Sequence, residues 1–441
     1  MILGIDIGTS SITGVLCSGE DRAVQATVSA CNDASAMDLP PGHHEQSPER
    51  ILAIALDVIH CLVRRATGPI EGIALTGQMH GIVIVDEELN PLTQCITWQD
   101  ARTSGYPAGV VRHSYASETG CFLHAGYGGL TLHHMLRTGA MPKGAFKALS
   151  VPGFVASHLS GRCTIDETLA ASWGIWDVRK NRWHEALLED LRIPMDLLPE
   201  WVPSCTRIGQ VIGGQRLPSG TMVYSPLGDN QAGVANLGAS QALVNIGTSS
   251  QLSVPLHEYA FDPKLETRPF PGGRFIQTFA VLCGGWSYAY LAGFFRQVIE
   301  QIGERPIELG EVYARMNRIA SGAVANGLRI DTRFAGERNG NTECTGSISG
   351  ITMDNLTPRN LARAFAEGIA NELADAATVV DLRGVNGLTL VGNAVRLNPA
   401  LRDALLTRFG MPCHLADVPE EAAFGAVRTL MDLNTKVRRD A

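Results

Sequence analysis

The chain has 441 residues, of which 45% are hydrophobic and 18% charged, and this composition predicts a globular protein rather than a disordered one. The length exceeds what one ordinary core supports, so we expect two domains of about 200 residues each. A formal net charge of −8 argues against a nucleic-acid surface, and no apolar stretch approaches the roughly 20 residues of a membrane span. We therefore expect a protein that acts on small molecules, with no nucleic-acid or membrane partner.

The N-terminal residues and the cysteines indicate a cytoplasmic protein. The first residues lack a basic segment and include Asp6 within the apolar run, which argues against a signal peptide. Ten cysteines are scattered from Cys17 to Cys413 without a Cys-x-x-Cys pair, and this pattern suits neither a disulfide framework nor a zinc site. We expect these cysteines to be reduced thiols.

The first half of the chain predicts a mixture of strands and helices that begins with a β-hairpin. Apolar residues alternate with small or acidic ones up to residue 7, and Gly8 opens a Gly-Thr-Ser-Ser turn before a second apolar run. Ser47 and Pro48 are typical of the start of a helix, and apolar residues recur after them at helical spacing. The predicted elements are strands at 2–7, 12–17, 70–75 and 81–85, a helix at about 47–65, turns at 8–11 and 86–91, and a loop ending at 98–100.

The second half repeats this order of elements. The pentapeptide Ile-Gly-Thr-Ser-Ser occurs at residues 7–11 and again at 246–250, and each copy leaves an apolar strand and enters a hairpin. This self-similarity at half the chain length predicts a duplicated domain, although a single pentapeptide can recur by chance. The predicted elements are strands at 221–224, 242–246, 388–391 and 413–416, and helices at about 358–382, at 398–409 and from 419.

We predict an α/β fold in which the domain boundary lies near residues 228–233. Residues 1–229 are assigned to an N-terminal domain and residues 230–441 to a C-terminal domain. No linker rich in Pro, Gly and Ser separates the halves, which favours two lobes that hinge about a shared cleft.

The two Gly-Thr-Ser-Ser turns are candidates for binding the phosphates of a nucleotide. Glycine lets the backbone approach a phosphate oxygen, while Thr and Ser add hydroxyl donors. The alternative is that each turn only closes a hairpin, as most isolated Gly-Thr-Ser sequences do. Because the turn is duplicated, we favour phosphate binding. The candidate residues are Gly8, Thr9, Ser10, Ser11, Gly247 and Thr248.

Asp6 and Asp229 are the candidate acidic groups. Asp6 interrupts an apolar strand, and a buried carboxylate is costly unless it is paired or lies near a cation such as Mg²⁺. The alternative is an Asp at a strand end that accepts hydrogen bonds from the turn. Asp229 stands at the start of a predicted helix, where it either faces a cleft as the base for an attacking hydroxyl or caps the helix. Beside the two turns, we favour the cation site and the base.

Two short loops carry groups that suit a polyhydroxylated ligand. Gln78, Met79 and His80 join two predicted strands, and Trp98 and Asp100 lie about twenty residues further on. Together they offer hydrogen-bond donors, acceptors and an apolar face, which sugar ligands use. A lone His or Trp is more often a packing residue, so this interpretation depends on the neighbouring motifs.

Taken together, these motifs resemble those of the FGGY carbohydrate kinases, in the family's order and over essentially the whole chain. The second family signature fits nearly completely. The matching segments are residues 4–10 (first phosphate motif), 44–48 (Glu-Gln-Asp-Pro element), 228–230 (catalytic aspartate), 245–250 (second phosphate motif), 334–338 (Gly-Glu-Arg turn), 346–367 (second signature) and 390–399 (adenosine motif).

The resemblance implies two actin-like ATPase domains of the ribonuclease H type, with ATP and a sugar meeting in the cleft between them. It implies that Asp229 is the catalytic base and that Asp6 and Asp229 lie at the Mg²⁺ ion. The residues expected around the sugar are Gln78, Met79, His80, Trp98, Asp100 and Asn230, and those expected around ATP are Gly8, Thr9, Ser10, Ser11, Gly247, Thr248, Gly284, Gly392 and Asn393.

Within the family, the residues favour a ketose kinase. Residues 77–81 are similar to those of xylulokinases and sedoheptulokinases, whereas glycerol kinases carry Arg-Glu in place of Met79-His80. Residues 97–100 and 392–398 look more like the sedoheptulokinase forms, so we expect γ-phosphate transfer to a primary hydroxyl of sedoheptulose. The alternatives are a xylulokinase or another pentulose or polyol kinase, and a homologue that senses a sugar without catalysis. A homodimer is compatible with the sequence.

Two departures from the family pattern bear on these alternatives. Many relatives carry Lys or Arg where Thr13 stands, and the missing cation motivates the sensor alternative. The first family signature, expected near residues 127–137, lacks its usual Lys and Trp, which leaves the identity of the sugar open. A further alternative is a chaperone-like ATPase with a polypeptide partner, but it gives no role to the loops at 78–81 and 98–100.

Overall fold

Two mixed β-sheets, one from each half of the chain, organise the fold. The computed structural model describes residues 1–19, 22–212, 217–218, 220–238, 241–336, 345–375, 378–416 and 420–440. The described strands are β1 (Ile2–Ile7), β2 (Ser11–Cys17), β3 (Val24–Cys31), β4 (Glu45–Gln46), β5 (Gly72–Gly77), β6 (Val83–Val85), β7 (Cys95–Ile96), β8 (Lys147–Leu149), β9 (Thr164–Ile165), β10 (Trp176–Asp177), β11 (Arg182–Trp183), β12 (Glu200–Trp201), β13 (Arg207–Gln210), β14 (Met222–Tyr224), β15 (Leu227–Gly228), β16 (Gln241–Ile246), β17 (Ser250–Leu256), β18 (Glu266–Phe270), β19 (Arg274–Val281), β20 (Arg329–Asp331), β21 (Ser347–Ser349), β22 (Gly387–Val391) and β23 (Cys413–Leu415).

Helices cover both sheets. The described helices are α1 (Pro48–Val63), α2 (Ala108–Val111), α3 (Ala116–Thr119), α4 (Gly128–Thr138), α5 (Val151–Ser160), α6 (Glu167–Ser172), α7 (Glu185–Leu191), α8 (Asp229–Val234), α9 (Gly284–Gln301), α10 (Leu309–Ala320), α11 (Pro358–Asp375), α12 (Asn393–Leu397), α13 (Pro399–Phe409) and α14 (Glu421–Asp440), with a 3₁₀ turn at Met195–Leu197. In the described part of the chain, no helix has the length and apolarity that crossing a bilayer requires.

The first sheet has the strand order β13-β14-β5-β1-β2-β3, and β15 also pairs with β5. Strand β1 runs antiparallel to β2 and parallel to β5. The predicted hairpin is therefore confirmed, because the chain reverses between Ile7 and Ile12, which are paired across β1 and β2.

The second sheet repeats this arrangement. Its order is β18-β19-β17-β16-β22-β23, and β16 runs antiparallel to β17 and parallel to β22. Strands β16, β17 and β22 thus have the same mutual directions as β1, β2 and β5, and the second copy of the pentapeptide closes the β16–β17 hairpin as the first closes β1–β2. The repeated sequence corresponds to a repeated structural unit.

One face of the first sheet is covered by the predicted first helix. The Ser47 hydroxyl accepts the backbone N–H of Arg50 at 3.1 Å and so caps α1, as the sequence predicts. Helix and strand pack so closely that a Cβ on Gly14 of β2 would lie 2.5 Å from a methyl carbon of Leu62.

The opposite face of the first sheet is covered by the last helix of the chain. A Cβ on Gly4 of β1 would lie 2.2 Å from the carbonyl oxygen of Ala423 and 2.7 Å from the Val427 side chain, both on α14. Buried residues of α14 form one apolar cluster with residues of β1, β2, β5 and β14. The predicted boundary between residues 229 and 230 stays a prediction, and α14 is a C-terminal element that packs in the N-terminal half.

Several predicted boundaries differ from those in the structure. Strand β5 begins at Gly72, two residues later than predicted, and only residues 83–85 of the predicted strand at 81–85 form β6. Helix α11 ends at Asp375, and residues 379–382 form turn and loop structure rather than the predicted continuation, in keeping with the poor helix propensity of Val379, Val380 and Asp381. Of the predicted elements, Pro419, Glu337 and Arg338 lie outside the described residues.

Candidate active site

Asp6 lies near the end of β1, between two threonines of the neighbouring strands. It pairs with Thr13 on β2 and with Thr76 on β5, so the three side chains share one face of the sheet. The Oδ1 atom of Asp6 and the Oγ1 atom of Thr76 are both buried, and neither has a hydrogen-bond partner among the described residues. The alternative in which the turn satisfies the Asp6 carboxylate is therefore not supported for Oδ1.

The surroundings of Asp6 suit a cation. Burial, followed by the negative charges of Asp229, Glu420 and Glu421, raises the pKa of Asp6 to about 8. A buried carboxylate oxygen without a donor, close to further carboxylates, is the kind of oxygen-rich site in which a hard divalent cation is stable. The residues present therefore fit Mg²⁺, with Asp6 and Asp229 as the groups that would hold it directly or through water.

Asp229 is the first residue of α8, and the residue at the N-cap position is Gly228. The alternative role of Asp229 as a helix cap is thus not what the structure has. Its Oδ1 atom accepts the backbone N–H of Asn230 at 2.7 Å. Burial raises the pKa of Asp229 to about 6, and the Asn230 N–H and the charge of Arg268 oppose that rise. A carboxylate with this pKa is largely ionised at neutral pH and still able to accept a proton.

Asn230 attaches this carboxylate segment to the second hairpin. Its side-chain amide donates to Oε1 of Gln251 at 3.2 Å and to Oγ of Ser253 at 3.1 Å, both on β17. Strand β17 is the strand that leaves the second Gly-Thr-Ser-Ser turn. Asp229 therefore lies between the two hairpins. It is close enough to Asp6 of the first hairpin to raise the pKa of Asp6, and its neighbour Asn230 is bonded to the second hairpin.

A buried ion pair connects the two halves of the chain behind Asn230. Arg268 donates to Oε2 of Glu266 from Nε at 3.0 Å and from Nη2 at 2.6 Å, and its Nη1 donates to Oδ1 of Asn230 at 3.1 Å. Glu266 also accepts the hydroxyl of Tyr127 at 2.7 Å. Both charged residues are almost completely buried on β18, so their hydrogen bonds offset a large desolvation cost.

The first turn is fixed by amide and indole side chains. Gln46 donates from Nε2 to the carbonyl oxygen of Thr9 at 2.8 Å and accepts the amide of Gln78 at 2.9 Å. The Thr9 hydroxyl accepts the indole N–H of Trp98 at 2.9 Å. The structure thus brings the first turn together with both loops predicted to bind a sugar, while Ser10 stays exposed on the turn.

His80 has an unusual backbone conformation that several contacts stabilise. Its φ of +72° is in the left-handed region, where a non-glycine residue costs free energy. The Ser172 hydroxyl accepts its N–H at 3.0 Å, and the Ser172 carbonyl lies 2.7 Å from Nδ1. Because a carbonyl only accepts, Nδ1 carries a proton. The imidazole also stacks on Tyr127 with ring centroids 4.2 Å apart.

The side chains of Met79 and Asp100 contact other residues of the protein. Met79 is buried, and its sulfur would lie 2.9 Å from a Cβ on Gly228, so it packs directly under the peptide that precedes Asp229. Asp100 accepts Nε of Arg102 at 2.8 Å and the backbone N–H of His44 at 2.8 Å. These contacts shape the loops, and direct contact of either side chain with a sugar remains a prediction.

The second turn rests on the N-terminus of α9. The N–H of Gly285 donates to the carbonyl of Gly247 at 2.9 Å, and the N–H of Trp286 donates to that of Thr248 at 3.0 Å. A Cβ on Gly285 would lie 2.3 Å from the Gly247 oxygen, so only glycine allows this approach. Gly284 is the first residue of the same helix.

Gly392 completes the surroundings of the second turn. Its φ is +98°, and an added Cβ would lie 2.4 Å from the carbonyl oxygen of Ile246. Both features require glycine at this position. Asn393, the next residue, is exposed at the start of α12. The structure therefore gathers Gly247, Thr248, Gly284, Gly392 and Asn393 around one open turn, and their contact with ATP stays a prediction.

A cavity of about 580 Å³ lies elsewhere, between β20, β21 and α11. Its described lining includes Arg329, Asp331 and Glu372 and none of the predicted site residues. The predicted phosphate-binding residues lie instead on exposed turns, which suits a ligand that enters from solvent.

Another group of side chains has the spacing of a metal site but the chemistry of an ion-pair network. Glu118, Asp177 and His184 offer ligand atoms within 4.8 Å of one another. However, Lys180 Nζ lies 3.5 Å from Glu118 and 3.2 Å from Asp177 and neutralises these carboxylates. Nδ1 of His184 accepts the N–H of Leu187 at 3.2 Å, so Nε2 must carry the proton and is not free to bind a metal.

The residues that sequence reasoning missed are those of the long-range network. Tyr127, Glu266 and Arg268 support Asn230 from across the molecule. The signal available for the last two was a pair of opposite charges two residues apart in a short strand segment. Thr13, where a cation was expected, is buried and hydrogen-bonds Ser29 at 2.8 Å.

Comparison with known proteins identifies the family and the fold. The model of the FGGY family of carbohydrate kinases, N-terminal domain, matches residues 1–237. The sedoheptulokinase of Mus musculus is 26% identical over an alignment 479 positions long, which covers 98% of each chain. That of Homo sapiens is 27% identical over an alignment of 478 positions, which covers 97% of each chain. A xylulose kinase of Lactococcus lactis is 24% identical over 397 residues, which cover 86% of this chain and 77% of that protein.

Solved structures show the same fold. A xyloylose kinase from Brucella ovis superposes with a TM-score of 0.85 at 22% identity, covering 98% of this chain and 90% of that one. A gluconate kinase from Lactobacillus acidophilus gives a TM-score of 0.82 at 21% identity, covering 99% and 89%. The predicted α/β fold with two actin-like domains is thereby confirmed.

Proposed function

We propose that this chain, which belongs to the FGGY family of carbohydrate kinases and is an ATP-dependent sugar kinase, phosphorylates a primary hydroxyl of a ketose and prefers sedoheptulose. The observation that carries the proposed chemistry is the position of Asp229. Its carboxylate is close enough to Asp6 of the first hairpin to raise the pKa of Asp6, and its neighbour Asn230 is bonded to the second hairpin. A base in this position can serve a reaction between ligands held by the two turns.

In the proposed reaction, Asp229 accepts the proton of the sugar hydroxyl. The hydroxyl oxygen forms a bond to the γ-phosphorus of ATP, the bond from that phosphorus to the β-phosphate oxygen breaks, and ADP leaves. The Asn230 N–H and the charge of Arg268 favour the ionised form of Asp229 before the proton arrives. Closure of the two lobes would exclude water from the reacting groups.

The remaining roles are assigned by the position of each residue. We assign the phosphates of ATP to the exposed parts of the two turns, namely Ser10, Ser11, Gly247 and Thr248, with Gly392 and Asn393 nearer the nucleoside. We propose Mg²⁺ as the metal, with Asp6 and Asp229 as the groups that would hold it. When bound, the ion would neutralise charge on the phosphate oxygens.

Sedoheptulose is proposed because two features of the sequence favour it. The alignment with the two sedoheptulokinases covers 97–98% of their length, whereas the xylulose kinase of Lactococcus lactis is covered over 77%. Residues 97–100 and 392–398 also resemble the sedoheptulokinase forms. The alternative substrates are xylulose and another pentulose or polyol, and the alternative function is sugar sensing without transfer.

We further propose a cytoplasmic location and leave a homodimer as a prediction. Every cysteine of the described residues is a free thiol, in keeping with a reducing compartment.

The test measures ADP release, coupled to NADH oxidation, with D-sedoheptulose, D-xylulose, L-ribulose, D-ribulose, glycerol and erythritol. We expect the highest kcat/KM with D-sedoheptulose, since this ratio measures discrimination between substrates. Asp229→Asn should lower kcat at least about 10²-fold, as expected for loss of a general base. Asp57→Asn, which changes an exposed carboxylate on α1, is the matched control and should be unaffected.

Three outcomes would contradict parts of this proposal. A higher kcat/KM with D-xylulose or D-ribulose would overturn the choice of sugar. Unchanged turnover in Asp229→Asn would overturn the role of the base. Sugar binding in calorimetry without ADP release from any member of the panel would favour the sensing alternative.

A further inference from the structure

Two buried carboxyl groups lie behind the peptide that precedes Asp229. Asp166 and Glu167, at the start of α6, are 0% and 8% exposed. The Ser204 hydroxyl lies 2.5 Å from Asp166 Oδ2 and 2.9 Å from Glu167 Oε1, and its backbone N–H donates to Glu167 Oε2 at 2.9 Å. The mechanism proposed above gives this pair no role, although burying two adjacent carboxyl groups is costly.

Thr168 connects this pair to the segment that carries the base. Its hydroxyl lies 2.8 and 2.9 Å from the two carboxylate oxygens of Asp166, and it accepts the backbone N–H of Gly228 at 2.8 Å. A hydroxyl has one proton. Because Asp166 accepts that proton, the lone pairs of Thr168 Oγ1 are directed to Gly228, and the orientation of the Gly228 peptide is fixed.

The Gly228 peptide determines where α8 begins. Gly228 is the N-cap residue, Asp229 is the first helical residue, and Met79 also packs against Gly228. Thr168 is 0% exposed, so no water would replace its hydroxyl without a change in packing. The direction of the Asp229 carboxylate therefore depends on the hydrogen bond from Gly228 to Thr168.

Ser172, the last residue of α6, holds His80, which is predicted to bind the sugar. Ser172 donates its hydroxyl to the carbonyl of Leu169 at 2.6 Å and accepts the N–H of His80 at 3.0 Å. The Ser172 carbonyl fixes the Nδ1 proton of His80. Helix α6 thus binds the base segment at its first turn and a predicted sugar-binding residue at its last, and it sets the two relative to each other.

We propose that Thr168 is a positioning residue for phosphoryl transfer: it holds the Gly228 peptide, and through it the Asp229 carboxylate, in the orientation that the reaction requires, with Asp166 fixing the direction of the Thr168 hydroxyl. This inference rests on the proposed role of Asp229 as the base. A misplacement of about 1 Å in a reacting group can cost about 10²-fold in rate, so a hydroxyl that does not touch the substrate is expected to matter for kcat.

The test compares Thr168→Val with Thr168→Ser in the ADP-release assay, using D-sedoheptulose or, if it is the better substrate, D-xylulose. Valine has the shape of threonine without the hydroxyl, and serine keeps the hydroxyl without the methyl group. We expect kcat of the valine variant to fall about 10- to 100-fold with KM changed less than about threefold, and the serine variant to regain most of the loss. A purely structural role would lower thermal stability in both variants and leave kcat per folded molecule unchanged.

Two further variants separate this inference from the function on which it rests. In an Asp229→Asn background, Thr168→Val should cause no further loss, since the group being positioned has gone. If Asp229→Asn is inactive while Thr168→Val has the wild-type kcat, the positioning role is overturned and the base stands. If Asp229→Asn stays active, the proposed function itself fails. Should Thr168→Val not fold, Thr168→Ala carries the same expectation, and a wild-type kcat in that variant would equally overturn the positioning role.

Discussion

Replacing Arg268 with methionine should both destabilise the protein and move its pH profile. In the structure, Arg268 makes two hydrogen bonds to Glu266, at 3.0 and 2.6 Å, and one to Asn230 at 3.1 Å. Removing one partner of a buried ion pair costs about 3–5 kcal/mol, because the other charge is left in a poorly solvated place. We expect a loss of this size in the apparent free energy of unfolding measured by urea titration.

The double variant Arg268→Met, Glu266→Gln provides the matched comparison. Because it removes both charges, it should recover most of the stability lost in the single variant. Arg305→Met, which changes an exposed arginine, controls for the substitution itself and should have little effect. A single variant that costs less than about 1 kcal/mol, or a double variant that costs as much as the single, would refute the assignment of a buried, energetically coupled pair.

The same substitution should shift activity in a direction that the charge of Arg268 determines. This charge lowers the pKa of Asp229, so its removal should raise that pKa above its value of about 6. A general base works in its ionised form, so activity is lost as the pH falls through this pKa. The acidic limb of the kcat/KM profile should therefore move to higher pH, with a larger loss at pH 6 than at pH 8. An unchanged limb would contradict the proposed influence of Arg268 on the base.

Two further predictions concern the ligand sites. Gly392→Ala should weaken ATP binding about tenfold or more in a fluorescent-nucleotide titration, because the φ of Gly392 is +98° and the added Cβ would lie 2.4 Å from the Ile246 oxygen. The control is Gly384→Ala, where φ is +82° but no atom lies within 4 Å of the added Cβ, and equal affinities in the two variants would contradict the role of this contact. Asp6→Asn should flatten the pH dependence of stability, because a carboxyl whose pKa rises to about 8 on folding makes the metal-free protein less stable as pH increases from about 4 to 8. In thermal unfolding the variant should lose both this slope and any stabilisation by added Mg²⁺, and retention of both would refute the assignment.

Local sequence chemistry was sufficient to predict the two hairpins and the first helix. A turn of Gly-Thr-Ser-Ser between apolar runs specifies its own structure, and its repetition at residues 246–250 predicts a repeated unit. The Ser47-Pro48 helix start is equally local and is found as predicted. By contrast, Gly284, Gly392 and Asn393 around the second turn could be identified only because whole motifs resemble those of a family.

What the sequence could not supply are the contacts made across long separations. The hydrogen bond between Tyr127 and Glu266 joins residues 139 positions apart, and that between Gly228 and Thr168 joins residues 60 apart. Neither follows from periodicity or propensity, which act within one element. The role of Asp100 was also underdetermined, since the sequence does not show that its carboxylate is bonded to Arg102.

The position of α14 has a consequence for how the protein is made. Strands β1, β2, β3 and β5 of the first sheet have all been synthesised by residue 77. The apolar face that includes Ile2, Val15 and Ala74, however, is covered by Ala426 and Val427 of α14. At typical translation rates of about 5–20 residues per second, that face waits on the order of 20–70 s for its helix to leave the ribosome. During this interval the nascent chain presents an open apolar surface, so its yield in the cell should depend on chaperones that bind such surfaces while the second lobe is still being synthesised.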